Sequence, residues 1–119
     1  MIHLTIVRGN LKETTSIEKL KNDLRQLLKY EPRLSIDDNL NIKGYIAIGS
    51  GDNFTESDIL KIMVNHCTNF KIEIDEDDFF NREFFYSYFT WDGINLIEHY
   101  KNMFGTIDEI ENWNWVFQE

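Results

Sequence analysis

Four consecutive acidic residues followed directly by two phenylalanines form the most chemically distinctive segment of this 119-residue chain. Clustered carboxylates attract a cationic surface, and adjacent aromatic side chains can anchor in a partner once contact is made. The segment lies between two predicted strands, so we expect a hairpin. We predict a partner-binding site that consists of Asp75, Glu76, Asp77, Asp78, Phe79, Phe80 and Glu83.

Aromatic residues are concentrated around the same acids. Residues 76–91 hold eight of the seventeen aromatic residues of the chain. A single hairpin cannot turn that many rings inward, so we expect some of them to be exposed beside the carboxylates. Exposed aromatic side chains next to acids are typical of a surface that binds another protein.

A metal ion is the alternative occupant of an acidic cluster. An EF-hand loop beginning at Asp75 would need glycine at its sixth position and glutamate at its twelfth. Those positions hold Phe80 and Tyr86, which excludes the EF-hand. An irregular metal site stays open, but carboxylates without fixed ligand geometry remain hydrated. We therefore expect a solvated turn and no metal.

Few residues could act as a nucleophile or a base. The histidines are His3, His66 and His99, and the one cysteine is Cys67. His66 and Cys67 are neighbours on a predicted helix and do not face each other, and no zinc-ligand spacing is present. Free cysteine is among the most buried residue types, so we expect Cys67 in the core. We predict no catalytic residues.

A glycine-containing turn precedes the second predicted helix. Gly49, Gly51 and Phe54 follow the outline of a dinucleotide-binding fingerprint. The third glycine of that fingerprint permits close packing of the helix on the strand, and Phe54 stands in its place here. No Lys-Ser/Thr pair follows, which also excludes a P-loop. We expect a simple turn and no cofactor.

The formal net charge of −9 is unevenly distributed. Residues 1–35 hold seven basic and four acidic residues, whereas residues 36–119 hold five and seventeen. An acidic surface attracts basic partners and repels nucleic acid and anionic lipid, although solubility alone also explains it. Trp91, Trp113 and Trp115 could stack on bases, but such sites normally lie in basic grooves. We therefore expect a basic protein partner, no nucleic acid and no membrane.

Hydrophobic periodicity predicts a single α+β domain over residues 1–119. The expected order is strand 2–7, helix 16–30, strands 33–37 and 40–49, helix 55–67 and strand 70–75. This is the ferredoxin-like split β-α-β-β-α-β pattern. We expect it to be followed by an aromatic strand over 84–91, a C-terminal helix over 94–104, a short helix over 107–112 and a closing strand or docked tail over 113–117.

Local signals support the ends of these elements. Thr15 with Glu18 has the spacing of a capping box, and Thr55 with Asp58 marks a second helix start. Gly44 inside a predicted strand indicates a bulge or a close approach of two backbones.

The hypothesis that fits these observations is a small cytoplasmic binding protein rather than an enzyme. We expect neither a signal peptide nor a membrane span, and one cysteine fits a reducing compartment. The specific form is a bacterial immunity protein or antitoxin that covers the active site of a basic toxin, for instance a nuclease. A phage-type DNA mimic and a small ferredoxin-like ligand-binding or regulatory module stay open as alternatives.

Overall fold

The structure, a computed structural model, describes residues 2–49, 52–78 and 83–101. Within these residues, six strands form one antiparallel sheet and two helices pack against it. The elements are β1 (Ile2–Leu11), α1 (Ile17–Arg25), β2 (Arg33–Ile36), β3 (Asn41–Ile48), α2 (Glu56–His66), β4 (Cys67–Asp78), β5 (Glu83–Trp91) and β6 (Leu96–Lys101). The predicted α+β class is confirmed.

Alternation along the central strands creates the hydrophobic core. Leu4 and Ile6 of β1 share one face of the sheet and are buried. The residues paired with Leu4, Ile46 on β3 and Ile74 on β4, are buried as well. The helices cover this face with Leu20, Leu24, Ile59, Leu60 and Met63. Burying one such side chain contributes about 1.5–3 kcal/mol to folding, so these contacts hold the two helices on this face of the sheet.

Each helix connects two strands that are not neighbours in the sheet but are separated by one other strand. The strand order across the sheet is β2-β3-β1-β4-β5-β6. Helix α1 links β1 to β2, which lie on either side of β3, and α2 links β3 to β4, which lie on either side of β1. Because β5 and β6 continue the sheet beyond β4, the six-strand order differs from a four-stranded ferredoxin-like sheet. The predicted ferredoxin-like topology is not confirmed.

Strand β1 runs further than predicted. Its expected end at residue 7 is wrong, because the strand continues to Leu11 through a shift of register between Ile6 and Gly9. The close approach predicted at Gly44 is confirmed, since a Cβ atom there would lie 2.4 Å from the carbonyl oxygen of Arg33. The absence of a side chain at Gly44 thus allows the edge strand β2 to lie close to β3.

The two helices begin with different capping residues. The N-cap of α1 is Ser16, whose hydroxyl accepts a hydrogen bond from the Lys19 backbone N–H at 3.2 Å, so the predicted cap at Thr15 is wrong. The predicted start of α2 is confirmed. There the Asp58 carboxylate accepts a hydrogen bond from the Thr55 backbone N–H at 3.0 Å.

Helix α1 ends at Arg25, five residues before the predicted end at residue 30. The backbone N–H of Leu27 donates to the Leu24 carbonyl three residues back, which tightens and closes the last turn. The Arg25 guanidinium then donates to the Glu31 carboxylate from Nε at 2.9 Å and from Nη2 at 2.5 Å. This clamp holds the loop that leads into β2.

The predicted helix over 94–104 is wrong where the structure describes it. Leu96–Lys101 form β6, which pairs antiparallel with β5, for example through Trp91 and Leu96. The unpaired edge of β5 offers backbone hydrogen bonds that a helix over these residues would leave unused. Residues 102–104, together with the predictions for 107–112 and 113–117, lie outside the described residues.

A tight turn makes the β5–β6 hairpin possible. The Asp92 carboxylate accepts hydrogen bonds from the backbone N–H groups of Ile94 and Asn95, at 2.8 and 2.7 Å. Gly93 has a φ of +95°, a conformation that glycine adopts without a steric penalty. The turn thus depends on an Asp-Gly pair, a common hairpin signal.

Candidate functional site

The acidic run belongs to a strand rather than to a turn. Strand β4 continues to Asp78 and pairs with β5 as far as Glu83, which confirms the predicted hairpin and corrects the predicted strand end at residue 75. Because side chains alternate along a strand, Asp75 and Glu76 point to opposite faces of the sheet. These two acids therefore contribute to two different surfaces.

The remaining predicted site residues are placed only in part. Asp77 and Asp78 lie in β4, and Glu83 begins β5. Phe79 and Phe80 lie outside the described residues. Of the predicted site residues, Asp75 and Glu76 are those whose side-chain surroundings the structure describes.

Glu76 lies beside an accessible aromatic ring. It is exposed and pairs directly with Phe85 on β5, whose side chain is 37% exposed. Directly opposite residues of an antiparallel pair have Cβ atoms about 4.5–5.5 Å apart, so this carboxylate and this ring form one small surface. The pair combines an acid with an exposed aromatic side chain, but Phe85 is not among the predicted site residues, so the predicted site stays a prediction.

Asp75 faces the other side of the sheet, between a histidine and a tyrosine. Its pairing partners are His3 on β1 and Tyr86 on β5. Tyr86 is buried, and so is Glu73, two residues before Asp75. Burial raises the pKa of Tyr86 well above its usual value, and the Glu73 carboxylate, which accepts its hydrogen bond, raises it further. Tyr86 therefore stays protonated and remains a hydrogen-bond donor.

One row of side chains crosses the whole sheet on the face opposite the helices. The pairing register joins, from edge to edge, Arg33, Tyr45, Thr5, Glu73, Tyr88 and His99. These six residues, together with His3, Asp75 and Tyr86 of the adjacent row, are called the open face below. Within the described residues no helix packs on this face, although Glu73 and Tyr86 are themselves buried.

Contacts hold the β5–β6 side of the open face in place. The rings of Tyr88 and His99 stack with centroids 4.5 Å apart and an angle of 5° between their planes. Lys71 Nζ lies 5.2 Å from the Tyr88 ring centroid, within the range of a cation–π interaction. The Thr90 hydroxyl shares a 3.0 Å hydrogen bond with His99 Nε2. This part of the face presents a preordered aromatic surface.

A histidine bridges a hydroxyl and a carboxylate between the two helices. His66, at the end of α2, shares a 2.7 Å hydrogen bond between its Nδ1 and the Thr15 hydroxyl. Its Nε2 lies 2.6 Å from a carboxylate oxygen of Asp23 on α1. Hydroxyl, imidazole and carboxylate are the groups of an acyl-transfer triad, but this imidazole is buried where it ties α1 to α2. We interpret the group as a structural link.

Cys67 lies in the core, as predicted, and its side chain is fully buried. Burial raises the pKa of its thiol to about 12. Thiol chemistry requires the thiolate, which is scarce near neutral pH at that pKa. Cys67 therefore acts as a small apolar core residue.

Two further features are absent from the described part of the chain. In residues 2–49, 52–78 and 83–101, no group of three or more His, Cys, Asp or Glu side chains could hold a metal ion. No helix of this part is both long and apolar enough to cross a bilayer.

Sequence reasoning missed the open face, although a signal for it exists. Lys71, Glu73 and Asp75 recur at every second position, and so do Tyr86 and Tyr88. Period-two polar residues on two paired strands indicate a shared polar face. The link through His66 has no such signal, because its partners lie 43 and 51 residues away in the sequence.

No known protein family, curated protein or solved structure matches this chain. A functional proposal therefore depends on the geometry and charge of the chain itself.

Proposed function

We propose that this protein is a small binding protein that uses the β4–β5 hairpin to engage a basic protein partner. The observation that carries the proposal is the exposed Glu76 directly opposite the accessible ring of Phe85. The carboxylate supplies attraction at a distance, and the ring supplies contact area that is lost from water on binding. The excess of acidic residues over 36–119 adds to this attraction.

In its specific form, the proposal is an immunity protein or antitoxin that inhibits a bacterial toxin in the cytoplasm. A cationic toxin such as a nuclease has an active site that accepts phosphates, and carboxylates can occupy that site competitively. The net charge of −9 and a core cysteine, which suits a reducing compartment, support this form. A DNA mimic ranks lower, because Asp75 and Glu76 point to opposite faces rather than along one phosphate-like line.

The finer fold assignment is part of the proposal. We infer that β1 to β4 with α1 and α2 form a ferredoxin-like split unit, to which β5 and β6 add two strands. The order β2-β3-β1-β4 inside the larger sheet supports this inference, as do the two helical crossovers. On this interpretation, the proposed binding hairpin consists of β4, the last strand of the ferredoxin-like unit, and β5, the first of the two added strands.

Capture of the partner from the source cell tests the proposal. The wild-type protein, Glu76→Gln and Phe85→Ala are immobilised in parallel, and the recovered proteins are identified by mass spectrometry. We expect a basic protein that the wild type retains and that both variants retain less, since each variant removes one half of the exposed pair.

Ile94→Ala is the matched control for this capture. Ile94 is an exposed apolar residue, at 83% exposure, in the turn at the opposite end of β5 from Phe85. We expect it to retain the partner as the wild type does. Recovery of an acidic partner, or equal recovery by every folded variant, would contradict the proposal. A DNA-binding enzyme as the partner would assign the DNA-mimic alternative.

A further inference from the structure

A second candidate site lies near the β2 edge of the sheet, away from the acidic hairpin. It is an open cleft of about 420 Å³, lined by Tyr30, Glu31, Arg33, Tyr45 and Ala47. Clefts of about 300–1,000 Å³ accommodate small molecules. We propose that this cleft binds a small molecule that carries an aromatic ring and an anionic group, either a carboxylate or a phosphate monoester.

The charges around the cleft leave one cation available to a ligand. Arg25 already pairs with Glu31, at 2.5 Å between Nη2 and Oε1, so this carboxylate of the lining is neutralised by a residue outside it. No carboxylate of the described residues lies within ion-pair distance of Arg33. A guanidinium binds carboxylate and phosphate oxygens through two parallel hydrogen bonds. Arg33 is therefore the group that selects an anion.

Two accessible tyrosine rings provide the apolar part of the site. Tyr30 is 51% exposed and Tyr45 is 37% exposed. The Tyr45 hydroxyl shares a hydrogen bond with His3 Nδ1, which fixes this ring from outside the cleft. Rings held in place before binding lose little conformational entropy when a flat ligand stacks on them. The ligand should therefore contain a planar aromatic group.

The ring of Tyr30 lies beside Gly49, the residue that follows β3. A Cβ atom placed on Gly49 would lie 3.4 Å from Tyr30 Cε2, so the ring lies next to the Gly49 backbone. The Gly49 backbone N–H donates a hydrogen bond to the Asp52 carboxylate at 2.8 Å, which ties Gly49 to Asp52. Each ring thus has a neighbour outside the cleft lining, His3 beside Tyr45 and Gly49 beside Tyr30.

NMR titration of the intact protein tests this proposal with four probes. Phenyl phosphate and benzoate carry both ring and charge, benzyl alcohol carries the ring alone, and inorganic phosphate carries the charge alone. We expect saturable shifts of the Tyr30, Arg33 and Ala47 amide signals with the first two probes. The last two should bind about tenfold more weakly or less, since each lacks one of the two interactions.

Two substitutions that each remove one positive charge distinguish a specific binding site from non-specific attraction of an anion to the protein surface. Arg33→Gln should weaken phenyl phosphate binding about tenfold or more, whereas Lys61→Gln, at an exposed lysine of α2 outside the cleft, should leave it unchanged. Arg33→Lys retains the positive charge but not the two parallel hydrogen bonds, so this variant should bind phenyl phosphate with intermediate affinity. If Arg33→Gln does not fold, Arg33→Lys still tests the role of the guanidinium.

Three outcomes would overturn the proposal. The first is the absence of saturable shifts at these amides with phenyl phosphate and benzoate up to about 10 mM. The second is equal weakening by Arg33→Gln and Lys61→Gln, which would indicate only non-specific attraction. The third is unchanged binding in both Arg33 variants.

Discussion

At the scale of single residues, burial decides which side chains stabilise the fold and which are free for binding. Leu24 of α1 is fully buried, whereas Leu27, just beyond the end of the helix, is 37% exposed. The two residues have the same side chain, so a large difference between the costs of their substitutions reports mainly the difference in burial.

We expect Leu24→Ala to lower the free energy of unfolding by about 2–5 kcal/mol, because it removes packed methyl groups and leaves a cavity. Leu27→Ala should cost less than about 1 kcal/mol. Urea denaturation at neutral pH measures both values. Similar costs for the two substitutions would show that the buried face of α1 is assigned incorrectly.

A carboxylate in the β2–β3 turn makes stability depend on pH. Asp37 accepts hydrogen bonds from the Asn41 backbone and side chain and from the Asn39 backbone N–H, and these bonds lower the pKa of Asp37. A folded-state pKa below the unfolded value stabilises the protein above the unfolded pKa of 3.8. This contribution is lost as the pH falls through the folded-state pKa.

We therefore expect the stability difference between the wild type and Asp37→Asn to be largest near neutral pH and to shrink below pH 3.8. Urea denaturation over a series of pH values measures it. Asp38→Asn is the control, since Asp38 is exposed and its side chain accepts no hydrogen bond from the described residues. A difference for Asp37→Asn that does not change with pH would contradict this account.

At the scale of elements, hydrophobic periodicity predicted the strands and helices that form the core but not the β6 strand. Residues 94–104 have apolar positions at helical spacing, yet Leu96–Lys101 also fit a strand. The free edge of β5 decides between the two, and that edge exists only in the folded sheet. Asp92-Gly93 is the local signal that could have revealed the hairpin.

The pairing of β2 with β3 depends on the absence of a side chain at Gly44. A Cβ atom there would lie 2.4 Å from the Arg33 carbonyl oxygen, a backbone atom that cannot move without disturbing the strand pair. Gly44→Ala should therefore lower the free energy of unfolding by about 1–3 kcal/mol. Gly49→Ala, where the nearest atom would be 3.4 Å away, should cost less.

Chemical denaturation of the two glycine variants provides the comparison. Equal stability of Gly44→Ala and Gly49→Ala would mean that β2 does not approach β3 as closely as the structure shows. Backbone hydrogen exchange along β2 should also rise in Gly44→Ala, because the strand pair opens more readily.

At the scale of the whole molecule, charge composition leads us to expect a basic partner, which stays a prediction, and does not indicate how the acids are arranged. The acidic excess of residues 36–119 and the position of the run at residues 75–78 are properties of the sequence. The division of Asp75 and Glu76 between two faces follows from the extension of β4, which the turn-like composition of the run concealed. Alternating polar residues on β4 and β5 indicate a polar face, but the full set of residues on it could not be predicted, because the register of six strands places them together.

The two ends of the sheet allow a matched comparison of charge. Asp77 and Asp78 lie at the end of β4, close to the start of β1, since Ile2 pairs with Glu76. Glu13 follows the other end of β1, and Asp38 lies in the β2–β3 turn. Both residues are exposed. Neutralising either pair changes the net charge by the same amount, so only position differs between the two double variants.

The association rate with the captured partner, measured at two salt concentrations, tests the central claim most directly. We predict that Asp77→Asn with Asp78→Asn slows association at low salt and flattens its salt dependence, because salt screens attraction beyond about 10 Å at 0.1 M. Glu13→Gln with Asp38→Asn should leave the rate close to that of the wild type. Equal slowing by both double variants, or no change in the hairpin variant, would contradict the claim that the β4–β5 hairpin steers the partner.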